Sequence, residues 1–109
     1  MTSDHCLIVS TCPDAACAEQ IARSLLDRKL AACVNVLPGV KSFYTWKGNC
    51  ENDEEHLLLI KTLSGAYSVV EKAILELHPY ELPEIIAVPI AAGLPDYLTW
   101  ITQNTTAPV

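Results

Sequence analysis

Basic residues are scarce. Seven Lys and Arg against thirteen Asp and Glu leave a net charge of −6, so the broad cationic footprint that a phosphate backbone demands is missing. Nucleic-acid binding is thereby set aside. Only four glycines are present, none arranged as a phosphate-cradling loop, and neither G-x-S-x-G nor H-E-x-x-H occurs. Nothing in the sequence therefore marks an enzyme. The five cysteines, Cys6, Cys12, Cys17, Cys33 and Cys50, form no C-x-x-C pair, which removes zinc ribbons and thioredoxin-like redox motifs. No apolar run approaches the length of a membrane span, and the run that ends at Val9 is too short and unflanked by basic residues to be a secretory signal.

What is present is apolar. Half of the residues are hydrophobic and the mean hydropathy is +0.25, high for 109 residues that fold as one domain, residues 1–109. The excess implies burial between subunits. An odd number of cysteines without pairing signals fits free thiols in a reducing cytoplasm, serving as small core side chains.

Strand character opens with Cys6-Leu7-Ile8-Val9-Ser10, and Thr11-Cys12-Pro13-Asp14 stops it. From Ala15 to Leu30, apolar positions recur at 18, 21, 22, 25 and 26, the spacing of an amphipathic helix, with Asp14 placed to cap it. Strand character returns at Ala32 to Leu37, is interrupted by Pro38-Gly39, and resumes from Val40 to Lys47. A reversal at Pro-Gly and a single strand bent there are both admissible. The bend is preferred, because residues 48–53 make the better loop and residues 55–62 supply the returning strand of a long hairpin. Ser64 is placed to cap a second helix through Leu77, which Pro79 terminates. The run Ile85 to Ile90 forms the last strand, and Asp96 to Ile101 a short terminal helix. Beyond Gln103 the polar end is expected to fray.

The order strand, helix, strand, strand, helix, strand defines an α+β, ferredoxin-like βαββαβ sandwich with a long β-hairpin and a short C-terminal helix. Right-handed crossovers put the first and third strands in the centre and the second and fourth at the edges. Unpaired edges and a protruding apolar hairpin favour a closed oligomer.

Candidate site residues fall into two groups. His78 ends a helix beside a rigid turn, where an imidazole can hold a proton or a metal, and Cys12 lies at the end of the first strand. Tyr44, Trp46, Lys61, Tyr80 and Glu84 sit on elements that the fold draws toward the hairpin and connector, as subunit glue or as a ligand cleft. The acidic run 51–55 reads as a solvated hairpin tip, and His5 and His56 as solvated side chains.

Thr11-Cys12-Pro13-Asp14, Leu30-Ala31-Ala32-Cys33-Val34-Asn35, Tyr44-x-Trp46-x-Gly48, Leu59-Ile60-Lys61-Thr62, His78-Pro79-Tyr80-Glu81-x-Pro83-Glu84-Ile85 and Tyr97-Leu98-x-Trp100 together resemble the CutA divalent-cation tolerance proteins over nearly the whole chain. The resemblance implies a tight homotrimer in the bacterial cytoplasm, binding copper or other divalent cations, in a family whose usual description includes no enzymatic activity; charge and hydropathy argue against a nucleic-acid or membrane partner. Of the family's copper-ligand pattern, one cysteine and two adjacent histidines, only His78 is matched. Ser10 and Leu77 occupy the other places, and Cys12 lies two residues on from Ser10. The alternative expectation is a regulatory or scaffold trimer that binds a small molecule or partner in its inter-subunit clefts.

Overall fold

A computed structural model describes residues 3–106. The elements run β1 (His5–Cys12), α1 (Ala15–Asp27), β2 (Cys33–Trp46), β3 (Asn49–Leu63), a 3-10 turn (Ser64–Ala66), α2 (Tyr67–Leu77), β4 (Ile85–Pro89) and α3 (Pro95–Gln103). The four strands form one antiparallel sheet in the order β2-β3-β1-β4, which puts the first and third strands in the centre.

One face of this sheet is the core. Cys6, Ile8, Ser10 and Cys12 of β1 and Leu58, Ile60 and Thr62 of β3 point the same way, and all are fully buried. Ile21 and Leu25 of α1 and Val70, Ala73 and Ile74 of α2 cover them. The apolar spacing read in the sequence is the spacing of these contacts.

The other face is apolar too. Strand alternation places Leu7 and Val9, Leu57 and Leu59, and Ile86 and Val88 on the side away from α1 and α2, where they are half-buried or exposed. Ile86 is 52% and Val88 45% exposed. The continuous runs of these strands, rather than alternating ones, are the pattern of strands buried on both faces. Within one subunit α3 covers part of this second face, with Tyr97 against Lys61, Thr102 against His5 and Ile101 fully buried, and leaves Ile86 and Val88 exposed.

Local details depart from expectation in three places. Helix α1 stops at Asp27, not Leu30, because Lys29 adopts φ 55 and the Leu30 N–H donates to Leu25 O (2.9 Å) while the Lys29 N–H donates to Leu26 O, a Schellman closure. The expected loop over residues 48–53 is instead a two-residue turn. Lys47 and Gly48, at φ 50 and 81, have the positive φ of a type I′ hairpin, so strand pairing resumes at once with Trp46 opposite Asn49. Ser64 does not cap α2; its Oγ donates to Ser3 O (2.6 Å) and the residue opens the 3-10 turn. Elsewhere the reading holds. Asp14 accepts from the Cys17 N–H at 2.8 Å, and β2 is one strand whose register shifts between Leu37 and Val40, with Gly39 at φ 73.

The polar end does not fray immediately. Thr105 is buried and the Thr106 N–H donates to Lys29 O (2.8 Å), closing the chain against the end of α1; residues 107–109 lie outside the described residues. Among the described residues no helix is long and apolar enough to cross a membrane.

The left-handed Lys29 yields a direct test. Lys29→Gly relieves the steric conflict of a Cβ at positive φ and is expected to stabilise by about 0.5–1 kcal/mol in urea unfolding, whereas Lys29→Val destabilises by a similar amount. A less stable glycine variant would contradict the closure described.

Candidate functional site

The connector after α2 is held by side chains rather than by a sheet ladder. His78 leaves the helix at ψ 132, as a residue before proline must, and its N–H still donates to Ile74 O (2.9 Å). Its imidazole then joins three elements. Nε2 lies 2.7 Å from Thr11 O, an acceptor, so it is the protonated nitrogen; Nδ1 accepts from the Tyr80 N–H at 3.2 Å. The neutral tautomer satisfies both contacts.

Tyr80 continues the link. Its ring packs 4.7 Å from that of His78, and its hydroxyl donates to Glu55 Oε2 on β3 at 2.8 Å. On the hairpin, the Tyr44 hydroxyl donates to Asp53. Burial, then the bond to Glu55, pushes the Tyr80 phenol up; the bond to Asp53 takes Tyr44 to about 12. Both phenols remain donors at neutral pH.

Between hairpin and connector lies a cleft of about 680 Å³. Its aromatic walls are Phe43, Tyr44, Trp46 and Tyr80, its carboxylates Asp53, Glu55, Glu81 and Glu84, and no Lys or Arg lines it among the described residues. The cleft is therefore electronegative. Of the five residues expected to gather near hairpin and connector, it brings together Tyr44, Trp46, Tyr80 and Glu84. Lys61 stands apart on β3, with Nζ 3.4 Å from Tyr97 Oη and 5.6 Å from the ring centroid. No Lys61 to Glu84 ion pair forms among the described residues.

Sequence reasoning missed Glu55. It belongs to the acidic run taken for a solvated tip, yet Glu55 is only 5% exposed, and the whole run lies on β3 facing β2. Its place just ahead of the apolar 57–60 run, on a strand rather than a loop, was the available signal. His56 also differs from expectation: it is half-buried, with Nδ1 enclosed and unpartnered, while His5 Nε2 lies 2.9 Å from Thr102 Oγ1.

The donor set does not suit copper within one subunit. His78 has both ring nitrogens engaged, so a metal would have to break the bond to Tyr80 or to Thr11. Cys12 is fully enclosed, and burial, reinforced by neighbouring Cys17, pushes its thiol up to about 12, far from the thiolate that ligates metals. Ser10 is buried with Oγ unpartnered. Among the described residues no three His, Cys, Asp or Glu side chains converge on a common point.

A ferredoxin-like sheet with a long hairpin, a partly open apolar face and an acidic, aromatic-walled cleft defines the class: a small α+β protein with a cleft between hairpin and connector. The comparisons narrow the class. Residues 6–104 match the family model described as CutA1 divalent ion tolerance protein, and the chain belongs to that family. It is 50% identical over 91 residues to the CutA homolog of Xenopus laevis, an alignment that takes in 84% of this chain and 60% of that longer protein. CutA from the bacterium Xylella fastidiosa superposes with a TM-score of 0.92 at 49% identity, over 95% of this chain and all of that one. The Archaeoglobus fulgidus CutA structure, called a periplasmic divalent cation tolerance protein, matches with a TM-score of 0.89 at 41% identity, over 92% and 97% of the two chains.

The raised Cys12 thiol sets a pH dependence. A folded pKa above the unfolded 9.0 means that the native state keeps a proton the unfolded chain loses, so this stability is complete below pH 9 and falls as pH rises toward about 12. The slope attributable to Cys12 is at most about 1.4 kcal/mol per pH unit. Reduced Cys12→Ala is expected to show a shallower alkaline loss than the parent; parallel curves would contradict the assignment.

Proposed function

We propose that the chain serves divalent-cation tolerance as a cytoplasmic homotrimer whose hairpin–connector cleft binds a small molecule, without catalysis. The observation that carries this reading is the cleft itself: about 680 Å³, within the range of ligand sites, with rings on its walls and phenol donors fixed by Asp53 and Glu55. The sheet face away from α1 and α2 supports the trimer, because α3 covers its His5 and Lys61 end while Ile86 and Val88 stay exposed, and a second copy is the cover the family resemblance implies. Free cysteines throughout the described chain support a reducing compartment.

A second reading keeps metal as the direct ligand. It rests on the family description and on the lone pair of His78 Nδ1, which a backbone N–H at 3.2 Å engages and a Cu(II) ion could capture, with Cys12 next to the Thr11 carbonyl that His78 holds. Copper or another divalent cation would then use His78 as its one imidazole ligand.

Thermal unfolding of metal-stripped protein separates the two. A cleft ligand at a hundred times its Kd adds about 2.7 kcal/mol and raises Tm by several degrees with no metal present. Cu(II) titration is expected to give equal affinity for the parent and His78→Ala. Stabilisation by metals only, with copper affinity lost in His78→Ala, would overturn the cleft reading in favour of the second.

A further inference from the structure

Glu55 has no basic partner among the described residues. It is 95% removed from solvent, it accepts from the neutral Tyr80 hydroxyl, and it takes part in neither ion pair found among the described residues, which join Arg23 to Glu19 and Arg28 to Glu76. A carboxylate withdrawn from water normally finds a cation or several strong donors, because the desolvation of the charge is otherwise uncompensated. Here the open side of Glu55 is the cleft, and the described lining supplies no Lys or Arg. A cation does stand by the walls, Lys47, whose Nζ lies 5.9 Å from the Trp46 ring centroid, and it forms no ion pair with Glu55.

The walls limit what cation the cleft can hold. Tyr44, Trp46 and Tyr80 line the same space, and aromatic rings attract amines, guanidinium groups and alkylammonium ions through their negative π-surface. A bare divalent ion instead needs several oxygen, nitrogen or sulfur donors converging at about 2–2.5 Å, and no such group exists among the described residues. Asp53 is already engaged by Tyr44, and Glu84 is exposed at the rim. Anions are repelled, and a neutral ligand would leave Glu55 as it is. We propose that the cleft selects a small organic cation, an amine or guanidinium compound, seated between the aromatic walls with its charge toward Glu55 and Glu84. The proposal rests on the ligand-binding reading of the cleft and gives that ligand its chemical class.

Isothermal titration of the full-length assembly at low salt, with 1,4-diaminobutane as probe and 1,4-butanediol as its uncharged counterpart, tests it. The diamine is expected to bind at least about tenfold more tightly than the diol, and Glu55→Gln to weaken the diamine by about tenfold or more. Glu84→Gln, an exposed change that leaves the packing alone, is expected to weaken it about threefold, so the test survives if the Glu55 variant unfolds. Equal binding of diol and diamine, or diamine binding unchanged in both variants, overturns the cationic preference while leaving a small-molecule cleft in place. Absence of diamine binding together with dissociation of the assembly in Glu55→Gln assigns the cation to a neighbouring copy's basic side chain and overturns the free-ligand proposal. No binding by either probe, with an intact assembly in both variants, overturns the proposal and removes support from the cleft reading as well.

Discussion

The structure depends on a sheet whose strands are apolar on both sides: α1 and α2 cover one face, and α3 covers part of the other, against His5 and Lys61. Leu7-Ile8-Val9, Leu57-Leu58-Leu59-Ile60 and Ile85-Ile86-Ala87-Val88 put alternate residues into the core under α1 and α2 and the intervening ones onto a face that is half-buried or exposed. Each aliphatic side chain left fully in water forgoes about 1.5–3 kcal/mol, and with Ile86 and Val88 exposed and Leu7, Val9, Leu57 and Leu59 half-buried the surface favours a covering partner. The edge strands reinforce the same demand. β2 and β4 each have an unpaired side, and the hairpin gives the molecule a long axis of 43 Å against 26 and 25 Å.

The same hairpin creates the cleft. Because the Lys47-Gly48 turn is tight, β2 and β3 pair to the tip, and Tyr44 and Asp53 sit two positions apart in register on adjoining strands. The bulge at Pro38-Gly39 interrupts the ladder between the core-spanning half and the projecting half. Proline on both sides of Tyr80 then fixes the connector opposite the hairpin, and the Thr11–His78–Tyr80–Glu55 chain of hydrogen bonds ties connector to sheet. His78 works here as a strut. Its Nε2 donates to Thr11 O and its Nδ1 accepts from the Tyr80 N–H, so the residue read as a candidate metal ligand also ties the connector to β1.

Much of the fold was legible because its signals are local. Pro79 ends α2, Asp14 caps α1, and the preference for a bent strand over a reversal at Pro38-Gly39 follows from there being a returning strand further on. What was not legible depends on backbone conformations that the residue types disguise. Lys29 and Lys47 occupy left-handed conformations normally left to glycine or asparagine, so the end of α1 and the hairpin turn were misplaced by a few residues. The site was half visible. Aromatic residues and Glu84 pointed to the cleft, but Glu55 looked like one more surface acid, and Lys61 shares a strand with cleft residues while packing on Tyr97 of α3. Membership of the CutA1 family rests on motifs spread from residue 6 to 104 and does not depend on any of these placements.

Sedimentation equilibrium of the reduced, metal-free protein at micromolar and lower concentration addresses the central claim, that the open sheet face requires a copy of the chain to cover it. The account predicts one species of about three times 11.9 kDa, shifted toward smaller species by Val88→Asp on that face. A folded, monodisperse 11.9 kDa subunit would contradict it.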